Sequence, residues 1–142
     1  MNTEFENGHD RLTDETRAKL KDLSKSFLRL HKTLLDGAKA EYEALNGKIP
    51  NPNVYLSLVL DDPHFAWLRK MSSLIALIDE AVSIRRPATE QEAQALFGEA
   101  KILLNFEDAD EEFNDKFQKA LQKNPDAVLN HNETLRFVNQ YK

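Results

Sequence analysis

DPHFAWLRKMSSLIALIDEAVSI, residues Asp62 to Ile84, decides the fold. Asp62 supplies a capping carboxylate, and Pro63 lacks the N–H that a first helical turn would leave unpaired. On a helical wheel, Trp67, Leu68, Met71, Leu74, Ile75, Ile78, Ala81 and Val82 fill one broad face, and Phe65, Ala76, Leu77 and Ile84 fall outside it. Only Arg69, Lys70, Ser73 and Glu80 mark a solvent strip. A helix this apolar needs cover on several sides. The stretch therefore predicts an all-α bundle with a central, mostly buried helix, ending near Arg85 and Arg86 ahead of Pro87.

Toward the N-terminus, residues 1–12 are polar and without period, which reads as a mobile tail. Thr13 offers a hydroxyl cap, and Asp14 and Glu15 suit the positive pole of a helix. Leu20, Leu23, Phe27, Leu30 and Leu34 then recur at helical spacing, and the stripe continues through Ala38, Tyr42 and Leu45 to Asn46-Gly47. A helix of roughly 30 residues spans about 45 Å, so the bundle is expected to be elongated. Val54 to Leu60 fits a buried strand or a helix; with no second strand to pair with, a short helix is expected.

Toward the C-terminus, Thr89 and Glu92 form a capping box, after which Ala93, Leu96, Phe97, Ala100, Leu103 and Leu104 are expected to face inward. A further helix carries Phe113, Phe117, Ala120 and Leu121. Asn124-Pro125 opens the last one, with Val128, Leu135 and Val138 as its apolar face. The expectation is a single helical domain over residues 1–142, of five or six helices with one long N-terminal helix.

HFAWLR and LIALIDE, together with LQKNPDAVLNH downstream, resemble a pattern in small bacterial all-helical proteins. The resemblance covers roughly Val54 to His131. It implies a bacterial, cytoplasmic protein and brings no activity or ligand with it.

Composition narrows the function classes. The chain has no cysteine, which excludes thiolate chemistry and sulfur-ligated zinc and suits the cytoplasm. Its four glycines do not form a phosphate-cradling loop. A net charge of -5 argues against nucleic acid, and no apolar run reaches the ~18 residues of a membrane span.

Several residue groups invite chemistry. His64, beside Asp61 and Asp62, reads either as a ligand or base at a helix start or as a neutral histidine packed by Trp67 and Leu68 with one hydrogen bond; the second is the stronger reading. His31, His64 and His131 lack the spacing of a bundle metal site, the sole Glu-x-x-His being Glu6 to His9, so no metal and no cofactor is expected. Asp79 is expected to pair with Arg69 or with a base of the long helix, fixing register. Asp108, Asp110 and Glu112 alternate like a calcium loop, but Phe113 and Lys119 occupy the places that need Gly and Glu.

Charge is segregated. Residues 17–39 hold seven basic side chains against two acidic, and residues 89–115 hold nine acidic against one basic. Lys21, Lys25, Arg29 and Lys32 lie opposite the core stripe, and Leu28, Leu35 and Tyr42 form a displaced apolar rib beside it. The basic face reads first as a solvated surface and the rib first as a broadened core face; read functionally, these residues form the interaction surface, for a protein partner or a second copy in a homodimer. The expected function is a non-enzymatic interaction or regulatory module acting through helix surfaces. The alternative is a bundle that binds a small ligand or cofactor in a pocket at His64, Trp67 and Met71. No nucleophile or acid/base pair marks an enzyme.

Overall fold

The computed structural model describes residues 11–83 and 88–140. Among them the chain forms helices α1 (Asp14–Asn46), α2 (Pro52–Asp61), α3 (Leu68–Ala81), α4 (Glu90–Leu104), α5 (Glu111–Lys123) and α6 (Pro125–Asn139), with a 3-10 turn at Pro63–Phe65 and no strand. This is the expected all-α bundle with one long N-terminal helix. No described helix is long and apolar enough to cross a membrane.

The cap and stripe of α1 form as their residues dictate. Thr13 Oγ1 accepts the Thr16 N–H at 3.1 Å, and Leu20, Leu23, Phe27, Leu30 and Leu34 are all exposed by 2% or less. At 33 residues, α1 runs about 50 Å. That exceeds what its neighbours cover, so the predicted stripe fades: Tyr42 is half-buried and Leu45 is 80% exposed. The helix stops at Gly47, whose φ of 89° is a conformation glycine adopts without strain.

α1 packs most extensively on α6 and α3, and only lightly on α5. The seam with α6 is partly polar. Ser26 and Thr134 hydroxyls, both fully buried, lie 2.7 Å apart, Thr33 Oγ1 donates to Asn130 Oδ1 at 2.7 Å, and Arg29 pairs with Glu133 at 2.9 Å. The face predicted for α6 holds at Val138 and Leu135 and is corrected at Val128. Val128 is 38% exposed, while Ala127, His131, Thr134 and Val138 are buried. Two of those four are polar, and each is satisfied: His131 Nε2 bonds the Leu104 carbonyl at 2.8 Å and Thr134 Oγ1 donates to the Asn130 carbonyl at 2.8 Å.

The opening stretch divides in two. Asp62 accepts the His64 N–H at 2.9 Å, as a cap should, but Pro63 starts a 3-10 turn, and α3 begins at Leu68. From there Leu68, Met71, Leu74, Ile75, Ile78 and Ala81 are buried, while Ala76 is exposed and Leu77 is 54% exposed. The cover is thus one-sided, against α1 and α4, and the most widely contacted helix is α1. Arg69 leaves the expected solvent strip: its Nη1 donates to the carbonyls of Val59 and Leu60 at 2.9 and 2.7 Å. Among the described residues Asp79 pairs with neither Arg69 nor a base of α1, and it accepts from Ser24 of α1. The expected end at Arg85 to Pro87 lies outside the described residues.

Three further segments position the rest. Residues 54–60 are helical; Asn51 accepts the Val54 N–H at 2.9 Å, yet α2 contributes no buried residue. Residues 1–10, including Glu6 and His9, lie outside the described residues, whereas Leu12 is 8% exposed and donates its N–H to the Ala88 carbonyl at 3.1 Å, so the expected tail does not extend to it. Between α4 and α5 the acidic residues serve caps and pairs. Asp110 Oδ1 accepts the N–H groups of Glu112 and Phe113 at 3.1 and 3.2 Å, and Asp108 pairs with Lys70 at 2.9 Å. The Asp110 N–H, and then Lys70, hold the Asp108 carboxyl below its ordinary range.

Candidate functional site

Where α1 passes α5, small residues replace large ones. Gly37, Ala38 and Ala40 of α1 and Ala120 of α5 leave the helices apart, and a cleft of about 540 Å³ opens between them. That lies within the ~300–1,000 Å³ of small-molecule sites. His64 and Trp67, on the turn leading into α3, close one wall, and Lys116, Lys119 and Lys123 of α5 line the other with Glu41 opposite.

Each wall is fixed by ordinary forces. His64 Nε2 lies 2.7 Å from the Ala38 carbonyl. Because a carbonyl only accepts, Nε2 carries the proton, and Nδ1 is left without a partner among the described residues. The imidazole packs edge-on to Tyr42 and Phe65, at 5.7 and 4.9 Å between ring centres. Trp67 leans on Phe113 and Phe117, at 6.1 and 6.3 Å, and these anchor it to the buried face of α5. The indole is therefore held by the core on one side and presented to the cleft on the other.

The charged rim follows from helical spacing. Lys116, Lys119 and Lys123 stand at i, i+3 and i+7, which gathers them on one side of α5. Lys116 and Lys119 pair outward with Glu112 and Asp115, four residues back, at 3.1 and 3.0 Å. Lys123 reaches across to Glu41 at 2.9 Å and bridges the mouth. All three pairs are solvent-exposed, each worth at most about 1 kcal/mol. Among the described lining residues three lysines and one carboxylate, Glu41, rim an apolar floor of Leu34, Ala38 and Ala120, with Glu112 and Asp115 outside the lining paired to two of the lysines.

Of the residues expected to form a pocket, His64 and Trp67 line this cleft; Met71 does not, being fully buried in the core. The expected single hydrogen bond of a packed His64 is present, to the Ala38 carbonyl, and Tyr42 and Phe65 are the rings that pack on it. His31, His64 and His131 are not brought together, and among the described residues no group of three His, Asp or Glu side chains is placed to hold a metal ion. Along the rib on α1, Leu28 is 53% exposed, and Leu35 and Tyr42 pack partly against the core. Lys21, Lys25, Arg29 and Lys32 are exposed, Arg29 bound to Glu133 and Lys32 to Asp36.

The lysines of α5 were the missed component. KFQKALQK shows their spacing plainly, but acidic residues four positions earlier give Lys116 and Lys119 the look of routine surface pairs. No family model matches the chain, and no curated protein or solved structure is significantly similar to it.

Proposed function

We propose that the protein is a non-enzymatic binding module whose cleft between α1 and α5 takes a small amphipathic anion, a carboxylate or phosphate on an apolar body. One observation carries this reading: three lysines and His64 surround an apolar floor beside the indole of Trp67. The lysines supply charge where the ligand head would sit, and the alanines and Leu34 supply the surface against which its body is buried. The imidazole Nδ1 adds an acceptor, or a donor once protonated, at the closed end. A bacterial cytoplasmic setting suits the cysteine-free sequence.

Trp67, the single tryptophan, reports on the site directly. Titration with decanoate is expected to change its emission saturably, and decanol is expected to do so more weakly. Lys119→Ala with Lys123→Ala should weaken decanoate binding roughly tenfold, two exposed charges at up to about 1 kcal/mol each. Glu41→Gln should tighten it a few-fold, because Lys123 is released from its bridge. If the emission ignores decanoate and decyl phosphate alike while the far-ultraviolet circular dichroism shows a folded chain, the reading is wrong.

A further inference from the structure

A second depression, of about 490 Å³, lies between α3 and α4, and among the described residues its lining carries acids where the first carries lysines. Leu77, Leu96, Glu80, Glu92 and Glu99 line it, and Leu77 stands 54% exposed at its edge. On α4, Glu92, Leu96 and Glu99 follow at i, i+4 and i+7, which sets an acid, a leucine and an acid along one stripe. On the outer side of α1, Lys25, Leu28 and Lys32 follow at i, i+3 and i+7, a base, a leucine and a base, with Lys21 one turn earlier. All four of these α1 residues are exposed.

The two stripes are equal in length and opposite in sign. Seven residues rise about 10.5 Å on either helix. Laid antiparallel, Lys25 meets Glu99, Leu28 meets Leu96 and Lys32 meets Glu92, with Leu77 as the second apolar wall. Laid parallel, Leu28 would meet Ala95 instead, so the charges fix register and the leucines fix direction. Within one chain the stripes never meet, since α1 turns its opposite face, Leu20 to Leu34, to the bundle.

We propose that the Lys25–Leu28–Lys32 ridge of one copy docks antiparallel in the α3–α4 groove of a second copy. Ridge and groove are different surfaces, so the contact is heterologous and either closes reciprocally or continues to a third copy. The proposal is independent of the α1–α5 cleft.

Light scattering on the full chain, from micromolar to millimolar concentration, is the test. The mass should rise above that of one chain in low salt and fall toward it as salt screens the pairs. Lys25→Glu and Glu99→Lys should each be monomeric, and their equimolar mixture should associate again, because each reversed surface then meets its complement. Glu92 is left intact, since its Oε1 also accepts the Thr89 N–H at 2.9 Å and caps α4. Leu28→Ser should weaken association with charge unchanged, and circular dichroism checks that every variant is folded. A wild-type chain that is monomeric throughout, single variants that keep the wild-type mass, or a mixture that stays monomeric would each overturn the proposal.

Discussion

Gly98 sits inside α4 with open space where a Cβ would go, no described atom beyond its chain neighbours and the backbone of its own helix lying within 4 Å of that position. A helical glycine with nothing pressing on it costs about 0.5–1 kcal/mol relative to alanine. Gly98→Ala should therefore raise the unfolding free energy by about that amount, measurable by urea denaturation, with decanoate binding unchanged. Phe106 presents the opposite case. Its φ of 60° is a place for glycine, yet the residue is phenylalanine, and its ring packs on Phe117 and His131 at 5.1 and 5.4 Å. Aromatic packing there outweighs the backbone strain of about 1 kcal/mol.

At the scale of the element, α2 stands out: PNVYLSLVLD carries a single charged side chain, and Val54, Leu56 and Leu60 are 38, 58 and 56% exposed. Arg69 holds the C-terminal carbonyls of this helix, a cation at the negative pole. Arg69→Ala should lower the local opening free energy of α2 by about 1–2 kcal/mol, seen as faster amide exchange in residues 54–61 with little change elsewhere. Elements were legible where a local rule sufficed. The Thr89–Glu92 capping box and the α1 stripe depend only on neighbours in sequence. The break before Leu68 was not legible, because Asp62-Pro63 starts a 3-10 turn as readily as an α-helix. The buried face of α6 was legible in part: His131 and Val138 stand seven positions apart on one stripe of the sequence, whereas Thr134 lies inside on the strength of its partner Ser26, which no local pattern reveals. The cleft was half legible: His64 and Trp67 share the apolar stretch that drew attention to them, while Lys116 to Lys123 gain their meaning only from the gap at Gly37 and Ala38 across from them.

For the whole molecule, acid is the informative stress. Burial lowers the His31 pKa below 6.5, so the folded chain resists a proton that the unfolded chain accepts. Above 6.5 both states are neutral at this site and no penalty arises. Stability should fall as pH drops below about 6.5, and His31→Gln should flatten that part of the profile, as thermal melts between pH 7.5 and 5 would show. Further loss follows in stronger acid, where Arg29 no longer meets a charged Glu133, whose carboxyl it holds below its ordinary value of 4.5. A stability profile level from pH 7.5 to 5 would contradict the His31 assignment.

The seam between α1 and α6 joins the first helix to the last, with Ser26 and Thr134 separated by 108 positions. During synthesis, α1 leaves the ribosome long before its principal partner exists, with Leu20, Leu23, Phe27, Leu30 and Leu34 uncovered in the meantime. Chains with such distant pairings complete folding late and expose apolar surface while they wait. In that interval the like charges of Lys21, Lys25, Arg29 and Lys32 on the opposite face are what keeps α1 hydrated.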